Sequence, residues 1–141
     1  PYLQQDRSAC NLDIQLDVSI TPEKGQATQV STSNFKYMYW SMAQQLAHHS
    51  INGCLIQAGD TMASGTISGK DKGSYGSMLE LSWNGTEPIA MKGGGQRSFI
   101  EDGDTVTMTG HAEKAGLRIG FGEVSAKLLP AQPWNDLTTK K

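Results

Sequence analysis

Glu80 is the residue whose type and surroundings most suggest chemistry. It lies in Met78–Trp83, a run that alternates with the period of a β-strand, between the apolar residues Leu79 and Leu81. A carboxylate among apolar neighbours is costly to bury unless it is paired or hydrogen-bonded, so a buried Glu80 needs a partner. The plainer alternative is a structural carboxylate on the solvated face of a strand. The residues alone leave both interpretations open.

His48 and His49 suggest a metal site by their type, but their spacing does not favour one. Adjacent residues on a helix point about 100° apart, so the two imidazoles do not readily converge on one ion. His49 falls on an apolar stripe with Met42 and Leu46, whereas His48 points away from it. No cysteine or carboxylate stands at ligand spacing, so structural roles near a helix end are favoured and no metal ligand is assigned.

The glycine-rich segments and the cysteines match no common catalytic or nucleotide-binding motif. The segment 93–95 is not followed by Lys-Ser/Thr, and the segment 116–122 lacks the dinucleotide-binding spacing. Neither Cys10 nor Cys54 has a neighbouring base in the sequence, and no Gly-x-Ser-x-Gly turn is present. Composition and spacing therefore indicate no particular reaction.

Short alternating runs predict that strands position these residues. The apolar side chains from Leu12 to Ile20 share one face of a half-buried strand, and Met78–Trp83 is predicted as a second strand, with a hairpin turn at Asn84-Gly85. Asp102-Gly103-Asp104 is a turn signal. Further strands are predicted at 105–109, 117–121 and 124–129. The 16 glycines, which fall between these runs, are typical of turns in a β-rich fold.

One segment has helical spacing instead. Apolar residues recur at intervals of three and four from Phe35 to Leu46, after the capping candidates Thr32-Ser33-Asn34 and before the stop signal Asn52-Gly53. We expect one main amphipathic helix over about Asn34–Ser50, with its apolar stripe against a β-rich body. The predicted fold class is therefore β-rich α+β.

The overall composition excludes several classes of protein. The chain has 141 residues, about one domain, with 37% hydrophobic residues, 18% charged residues and a net charge of −2. This balance argues against intrinsic disorder and gives no basic excess for nucleic acid or anionic lipid. No apolar run has the length of a membrane span, and two cysteines do not make a disulfide scaffold, so we expect a reducing cytoplasm.

Several ordered blocks of sequence resemble the fumarylacetoacetase family. The blocks keep the family's order and spacing over nearly the whole chain, which makes the resemblance highly specific. They are Tyr39–Cys54, Gly59–Gly69, Gly76–Trp83, Asp102-Gly103-Asp104, Gly120-Phe121-Gly122 and Lys127–Ala131.

The resemblance implies a fold, a reaction and a set of partners. The fold is a mixed β-sandwich roll. The reaction is metal-dependent hydrolysis of a carbon–carbon bond in 4-fumarylacetoacetate, which releases fumarate and acetoacetate in the last step of tyrosine and phenylalanine catabolism. The enzymes that this chain resembles are cytoplasmic homodimers that hold Mg²⁺ or Ca²⁺ on a cluster of carboxylates. A hard cation of this kind can stabilise the enolate that develops as the bond breaks.

The resemblance also implies roles for two residues. Glu80, within Ser77–Leu81, matches the acid that orients and charges a catalytic histidine, which in turn deprotonates the attacking water. Thr66, within Gly65–Gly69, matches a substrate-binding threonine whose hydroxyl can hydrogen-bond a substrate carboxylate. The family's catalytic histidine and metal ligands lie upstream of this segment, so no metal ligand is expected here and the segment alone is expected to be inactive.

The same resemblance places the chain within a longer protein. Residues 1–131 are expected to form the C-terminal part of the catalytic β-roll domain, with Pro1 an internal position and 132–141 a loose tail. The N-terminal domain and the metal-binding part of the catalytic domain are expected to be absent from this chain. Two alternatives remain open: a related hydrolase, decarboxylase or isomerase acting on another β-diketo acid or acylpyruvate, and a non-catalytic dimerisation module.

Overall fold

A four-stranded antiparallel sheet, in the order β2-β1-β5-β6, is the main feature of the computed structural model, which describes residues 1–5 and 11–133. A second sheet consists of the two short strands β3 and β4. The strands are β1 (Gln15–Thr21), β2 (Thr28–Asn34), β3 (Ile89–Ala90), β4 (Gln96–Arg97), β5 (Thr105–Lys114) and β6 (Leu117–Lys127). The helices are α1 (Met42–Ser50) and α2 (Met78–Leu81), with single 3-10 turns at Phe35–Tyr37 and Lys72–Ser74. The predicted β-rich α+β class is confirmed, and the sandwich roll stays a prediction.

The apolar alternation predicted for the first strand is confirmed. Leu16, Val18 and Ile20 of β1 lie opposite residues 110, 108 and 106 of β5, so their side chains share one face of the sheet. Ile20 is fully buried on that face. On the other face Asp17 accepts hydrogen bonds from polar side chains of β1 and β2. The strand itself begins at Gln15 rather than at Leu12.

The last strands are longer than their alternation predicted. β5 continues to Lys114, and the two strands predicted at 117–121 and 124–129 are one strand, β6. The pairing of β5 with β6 shifts in register between Thr109 and His111, as at a β-bulge. The apolar alternation of β6 therefore changes phase within one continuous strand. Ala115 and Gly116, both with positive φ, join the two strands in a two-residue turn.

The predicted helix over Asn34–Ser50 is wrong in extent and in packing. Asn34 ends β2 and caps a 3-10 turn that stops at Met38, where the backbone becomes extended. The α-helix begins only at Met42, because Ser41 and Gln44 form a capping box. The apolar residues of the predicted stripe are therefore divided between the 3-10 turn and α1 and do not form one helical face. Within α1 no residue is buried, and the helix packs beside the N-terminal residues, where Gln44 Nε2 donates to Leu3 O at 2.9 Å.

The strand predicted at Met78–Trp83 is also wrong. Residues 78–81 form the helical turn α2, capped by Ser77, whose Oγ accepts from the amide of Glu80 at 3.3 Å. Trp83 and Asn84 follow with positive φ, so the turn at Asn84-Gly85 is present but follows a helical turn rather than joining two strands. Leu81 is buried, so the helical turn still places one apolar side chain in the core.

A pair of buried serines on β2 attaches the segment between α1 and α2 to the sheet. Ser31 Oγ donates to Tyr75 O at 2.6 Å, and Ser33 Oγ donates to Ile67 O at 2.9 Å. Both hydroxyls lie on the same face because they are two residues apart on a strand. This anchoring places the loops around residues 67 and 75 beside each other.

Within residues 1–5 and 11–133, the apolar face of the main sheet is covered only in part. The segment 75–81 covers the end near Ile20, whereas every residue of β6 is exposed. The exposed apolar side chains of this strand are Leu117, Ile119, Phe121 and Val124. Contiguous apolar surface of this kind usually marks contact with another protein surface.

Within the described residues, no helix is both long enough and apolar enough to cross a lipid bilayer. Cys10 and the segment 134–141, which includes most of the predicted loose tail, lie outside the described residues.

Candidate functional site

The Glu80 carboxylate lies in a cradle of serine hydroxyls. Ser77 Oγ donates to Glu80 Oε2 at 2.7 Å, and Ser68 Oγ lies 2.9 Å from both Oε1 and Oε2. The side chain is half-buried, and its partners come from two different segments: Ser77 caps α2, whereas Ser68 belongs to the loop that precedes it. The partner that the sequence required is therefore present, and it is a pair of hydroxyls.

The local sequence explains why Glu80 points toward Ser77. A serine followed three residues later by glutamate is the pattern of a helix capping box, in which the two side chains and the two backbone amides satisfy each other. At α2 the Ser77 hydroxyl accepts from the Glu80 amide, which is the first half of this pattern, and the same hydroxyl donates to the Glu80 carboxylate. The pattern was available in the sequence, and the strand-like alternation of Met78–Trp83 obscured it.

These hydrogen bonds keep Glu80 ionised. The Ser77 hydroxyl lowers the pKa of the Glu80 carboxyl below its ordinary value, with further lowering from the Ser68 hydroxyl and the backbone amides of Ser77 and Gly76. Partial burial acts in the opposite direction and is outweighed. The group is therefore a charged acceptor near neutral pH, suited to receive a hydrogen bond from a cationic or polar donor.

Gly76 brings the Thr66 loop into contact with the segment that carries Glu80. A Cβ atom at Gly76 would lie 2.6 Å from Ile67 O and 2.7 Å from the Thr66 methyl carbon. The Gly76 amide donates to Ser68 Oγ at 3.0 Å. Thr66 itself is exposed. Thr66 and Glu80, the two residues to which the family resemblance gives roles, thus lie on adjoining segments joined through Gly76 and Ser68.

The histidines do not join this site. His48 lies on α1, where its Nδ1 is 3.1 Å from the Tyr2 hydroxyl, and His49 follows it on the same helix. His111 lies within β5, opposite Gln15 of β1. Among the described residues, the groups that hydrogen-bond to the Glu80 carboxylate are hydroxyls and backbone amides, and no histidine is one of them.

The described residues do not provide a metal centre. Residues 1–5 and 11–133 contain no group of three or more histidine, cysteine, aspartate or glutamate side chains placed to hold an ion. Mg²⁺ and Ca²⁺ need several oxygen ligands around one point. The donor set of this part of the chain therefore does not fit a bound divalent cation.

Four serines shape the site, and none of them was predicted from the sequence to contact Glu80 or to hold these loops. Ser68 and Ser77 contact the carboxylate, and Ser31 and Ser33 hold the two loops on the sheet. The capping pattern at residues 77 and 80 was readable in advance. The partners of the other three serines lie 12 to 44 residues away along the chain, so local spacing could not have revealed them.

Comparison with known proteins gives one consistent family. Residues 3–128 match the model described as fumarylacetoacetate (FAA) hydrolase C-terminal. The chain is 53% identical over 132 residues to a fumarylacetoacetase of Bos taurus and 52% identical over 132 residues to that of Homo sapiens. It is 43% identical over 134 residues to that of Arabidopsis thaliana. These alignments cover 93%, 93% and 94% of this chain, but in each case only 31% of the relative.

The matched region is thus nearly all of this chain and about a third of each relative. A family model that covers residues 3–128, together with identities of this size, is sufficient to assign membership. The chain belongs to the fumarylacetoacetate hydrolase family and corresponds to its C-terminal region.

Proposed function

We propose that this chain acts as the C-terminal portion of a fumarylacetoacetase, which hydrolyses a carbon–carbon bond of 4-fumarylacetoacetate to give fumarate and acetoacetate. The observation that carries the proposal is the Glu80 carboxylate, held by two serine hydroxyls beside the loop of Thr66. Proteins from Bos taurus and Homo sapiens that are about half identical to this chain carry the name fumarylacetoacetase, which supports this choice of reaction.

In this proposal Glu80 orients and charges a catalytic histidine that this part of the chain does not supply. An ionised carboxylate accepts a hydrogen bond from one imidazole nitrogen and leaves the other nitrogen free to take a proton from water. The water oxygen then attacks the substrate carbonyl, and the carbon–carbon bond breaks with its electron pair on the acetoacetate carbon. That enolate takes up the proton held by the imidazolium to give acetoacetate, and the attacked carbonyl becomes a carboxylate of fumarate. The lowered pKa of Glu80 supports this role, because the carboxylate also stabilises the imidazolium that forms.

Thr66 is proposed to bind the substrate. Its side chain is exposed, and its loop is held against the Glu80 segment by Gly76. A threonine hydroxyl can donate a hydrogen bond to a carboxylate oxygen of the substrate. An exposed donor close to the orienting carboxylate is where such a contact would be productive.

Mg²⁺ or Ca²⁺ is part of the proposal only as a cofactor bound elsewhere in the complete protein. The described residues do not fit a divalent cation, so no step is assigned to a metal on this chain. We expect the isolated chain to be inactive and to bind neither ion tightly, and calorimetry with either ion measures this directly. A tight one-to-one complex would contradict the expected location of the ligands.

We also propose that the complete protein is a cytoplasmic homodimer. The exposed apolar side chains on β6 support a further protein surface over this face of the sheet, which a partner subunit or the part of the protein outside this chain would supply. Sedimentation of the natural-length protein measures the oligomeric state.

The test is turnover of 4-fumarylacetoacetate by the natural-length protein and its Glu80→Gln variant, followed by loss of the substrate's ultraviolet absorbance. We expect the variant to lower kcat by about 100-fold or more, because the amide keeps the shape but loses the charge that the base requires. Glu113→Gln, an exposed change on β5, is the matched control. Near-normal turnover by Glu80→Gln would return Glu80 to a structural role.

The substrate itself needs a separate control. Absence of turnover by a folded, metal-loaded wild-type protein would exclude 4-fumarylacetoacetate. The alternative activity, on another β-diketo acid or an acylpyruvate, would then be tested by assaying the same protein with a set of such substrates.

A further inference from the structure

Ser68 occupies the point where the Thr66 loop and the Glu80 segment meet. Its Oγ is 2.9 Å from each oxygen of the Glu80 carboxylate, so its single hydrogen faces both oxygens at once. The same oxygen accepts a hydrogen bond from the Gly76 amide at 3.0 Å. The hydroxyl thus donates and accepts simultaneously, which fixes the direction of its O–H bond toward the carboxylate.

Ser68 and Ser77 hold the carboxylate in different ways. Ser77 is the cap of α2, the helical turn that carries Glu80, so its hydrogen bond fixes Glu80 only relative to its own helix. Ser68 lies 12 residues earlier in the chain, two residues after Thr66. Its hydrogen bond is therefore the one that fixes the carboxylate relative to the loop of Thr66.

Two hydrogen bonds from β2 anchor the backbone on both sides of the Ser68 contact. The carbonyl of the preceding residue, Ile67, accepts from the buried Ser33 hydroxyl of β2 at 2.9 Å. The carbonyl of Tyr75, next to Gly76, accepts from the buried Ser31 hydroxyl at 2.6 Å. The backbone at Ile67 and at Tyr75 is thereby attached to the same strand, β2. This attachment fixes the position from which Ser68 donates to the carboxylate.

We propose that Ser68 is a positioning residue that aligns the Glu80 carboxylate with the substrate-binding loop of Thr66. The role rests on the proposed function, because it acts through Glu80. Among residues 1–5 and 11–133, losing the hydroxyl leaves Ser77 as the side-chain donor to the carboxylate, which is then free to rotate away from its productive direction. A misplaced orienting group lowers the rate of the chemical step more than it weakens substrate binding.

The test compares Ser68→Ala with Ser68→Thr in the natural-length protein. We expect Ser68→Ala to lower kcat by about tenfold or more with KM changed less than about threefold, the loss expected for one hydrogen bond to a charged group. The acid limb of the kcat profile, which in this proposal reports protonation of the histidine base, should move to lower pH, because a carboxylate turned away from the imidazole stabilises the imidazolium less. Ser68→Thr, which keeps the hydroxyl, should recover most of the rate and of the pH profile.

Two measurements separate positioning from folding. Ser50→Ala changes an exposed serine at the end of α1, outside the candidate site, whose hydroxyl donates to Leu46 O and Ala47 O, and it should leave kcat unchanged. Thermal unfolding of Ser68→Ala should stay close to that of the wild type. An equal loss of rate in Ser68→Ala and Ser68→Thr, with both unfolding at lower temperature, would assign Ser68 a packing role and overturn the proposal.

The double variant separates this inference from the proposed function. If Ser68 acts through Glu80, then Ser68→Ala combined with Glu80→Gln should be no slower than Glu80→Gln alone. Wild-type kcat and pH profile in Ser68→Ala, beside an inactive Glu80→Gln, would overturn the role of Ser68 and leave the proposed function intact. An active Glu80→Gln would instead refute the role of Glu80, and with it this inference.

Discussion

Replacing Asp104 with asparagine should destabilise the protein by about 3 kcal/mol, because this carboxylate is the centre of a buried ion pair. Asp104 is 0% exposed, and Arg97 binds it with two hydrogen bonds, from Nε to Oδ2 at 2.8 Å and from Nη2 to Oδ1 at 2.9 Å. The Glu101 amide also donates to Oδ2 at 3.0 Å. The carboxylate thus fixes the turn that leads into β5.

The backbone of the same turn explains why the effect should be global. Gly103 N donates to Leu128 O and Leu128 N donates to Asp104 O, both at 2.8 Å, so the turn also holds the chain just beyond the end of β6. Loss of the Asp104 carboxylate therefore loosens the entry to β5 and the exit of β6 together. These two strands form half of the main sheet.

The magnitude follows from what asparagine retains. Its single side-chain oxygen replaces one of the two acceptors, while its amide group places a donor against the guanidinium of Arg97. Removing one partner of a buried pair costs about 3–5 kcal/mol, since the remaining charge is left without compensation. Arg97 is 16% exposed and also pairs with Glu101 at 3.2 Å, which favours the lower end of that range.

The assay is equilibrium unfolding of the natural-length protein in urea, with Asp13→Asn as the matched control. Asp13 pairs with Lys36 on the surface, with side chains 70% and 48% exposed, so its loss should not change the unfolding midpoint measurably. A destabilisation by Asp104→Asn below about 1 kcal/mol, or one no larger than the control, would refute the assignment of a buried ion pair.

The pH dependence provides a second check on the same variant. Arg97 lowers the pKa of the Asp104 carboxyl below its ordinary value of 3.8. A carboxylate with a lowered folded-state pKa stabilises the protein fully above its unfolded-state value, and that stabilisation is lost as pH falls through the folded-state value. The difference in stability between wild type and Asp104→Asn should therefore be constant near neutral pH and should shrink below about pH 3.8.

Two further predictions concern the loop contact and the main helix. Gly76→Ala should lower both kcat and stability, the latter by about 1–3 kcal/mol, because its Cβ would lie 2.6 Å from Ile67 O. Gly73→Ala, where no atom lies within 4 Å of the added carbon, should change neither, and equal effects of the two would contradict the close contact. Ser41→Ala should speed amide hydrogen exchange in the first turn of α1, by removing a cap worth about 1 kcal/mol. Unchanged exchange at the Gln44 amide would show that the capping box does not stabilise this helix.

The sequence alone determined those features whose physical cause is local. The apolar alternation around Val18 predicted a half-buried strand correctly, because side chains two residues apart on a strand share a face. Asp102-Gly103-Asp104 marked the turn before β5, where Gly103 has a positive φ. The family resemblance selected Glu80 and Thr66, which the structure then placed on adjoining segments.

Local patterns failed where two of them competed. The run from Met78 alternates like a strand, but Ser77 and Glu80 also form a helix cap, and the helical turn prevailed because it buries Leu81 while satisfying the exposed amides at its start. The helical spacing before Leu46 likewise gave way to a break at Met38, since the cap at Ser41 fixed the start of α1.

Only the tertiary structure decided how the candidate site is held together. Ser68 reaches Glu80 across 12 residues, and Ser31 reaches Tyr75 across 44, so no window of local sequence contains either contact. A serine hydroxyl can hydrogen-bond to water as well as to protein groups, so the residue type does not indicate whether it has a buried partner. The sequence therefore determines which hydroxyl and carboxylate groups the chain contains. The antiparallel sheet and the serines of β2 determine which of these groups come into contact.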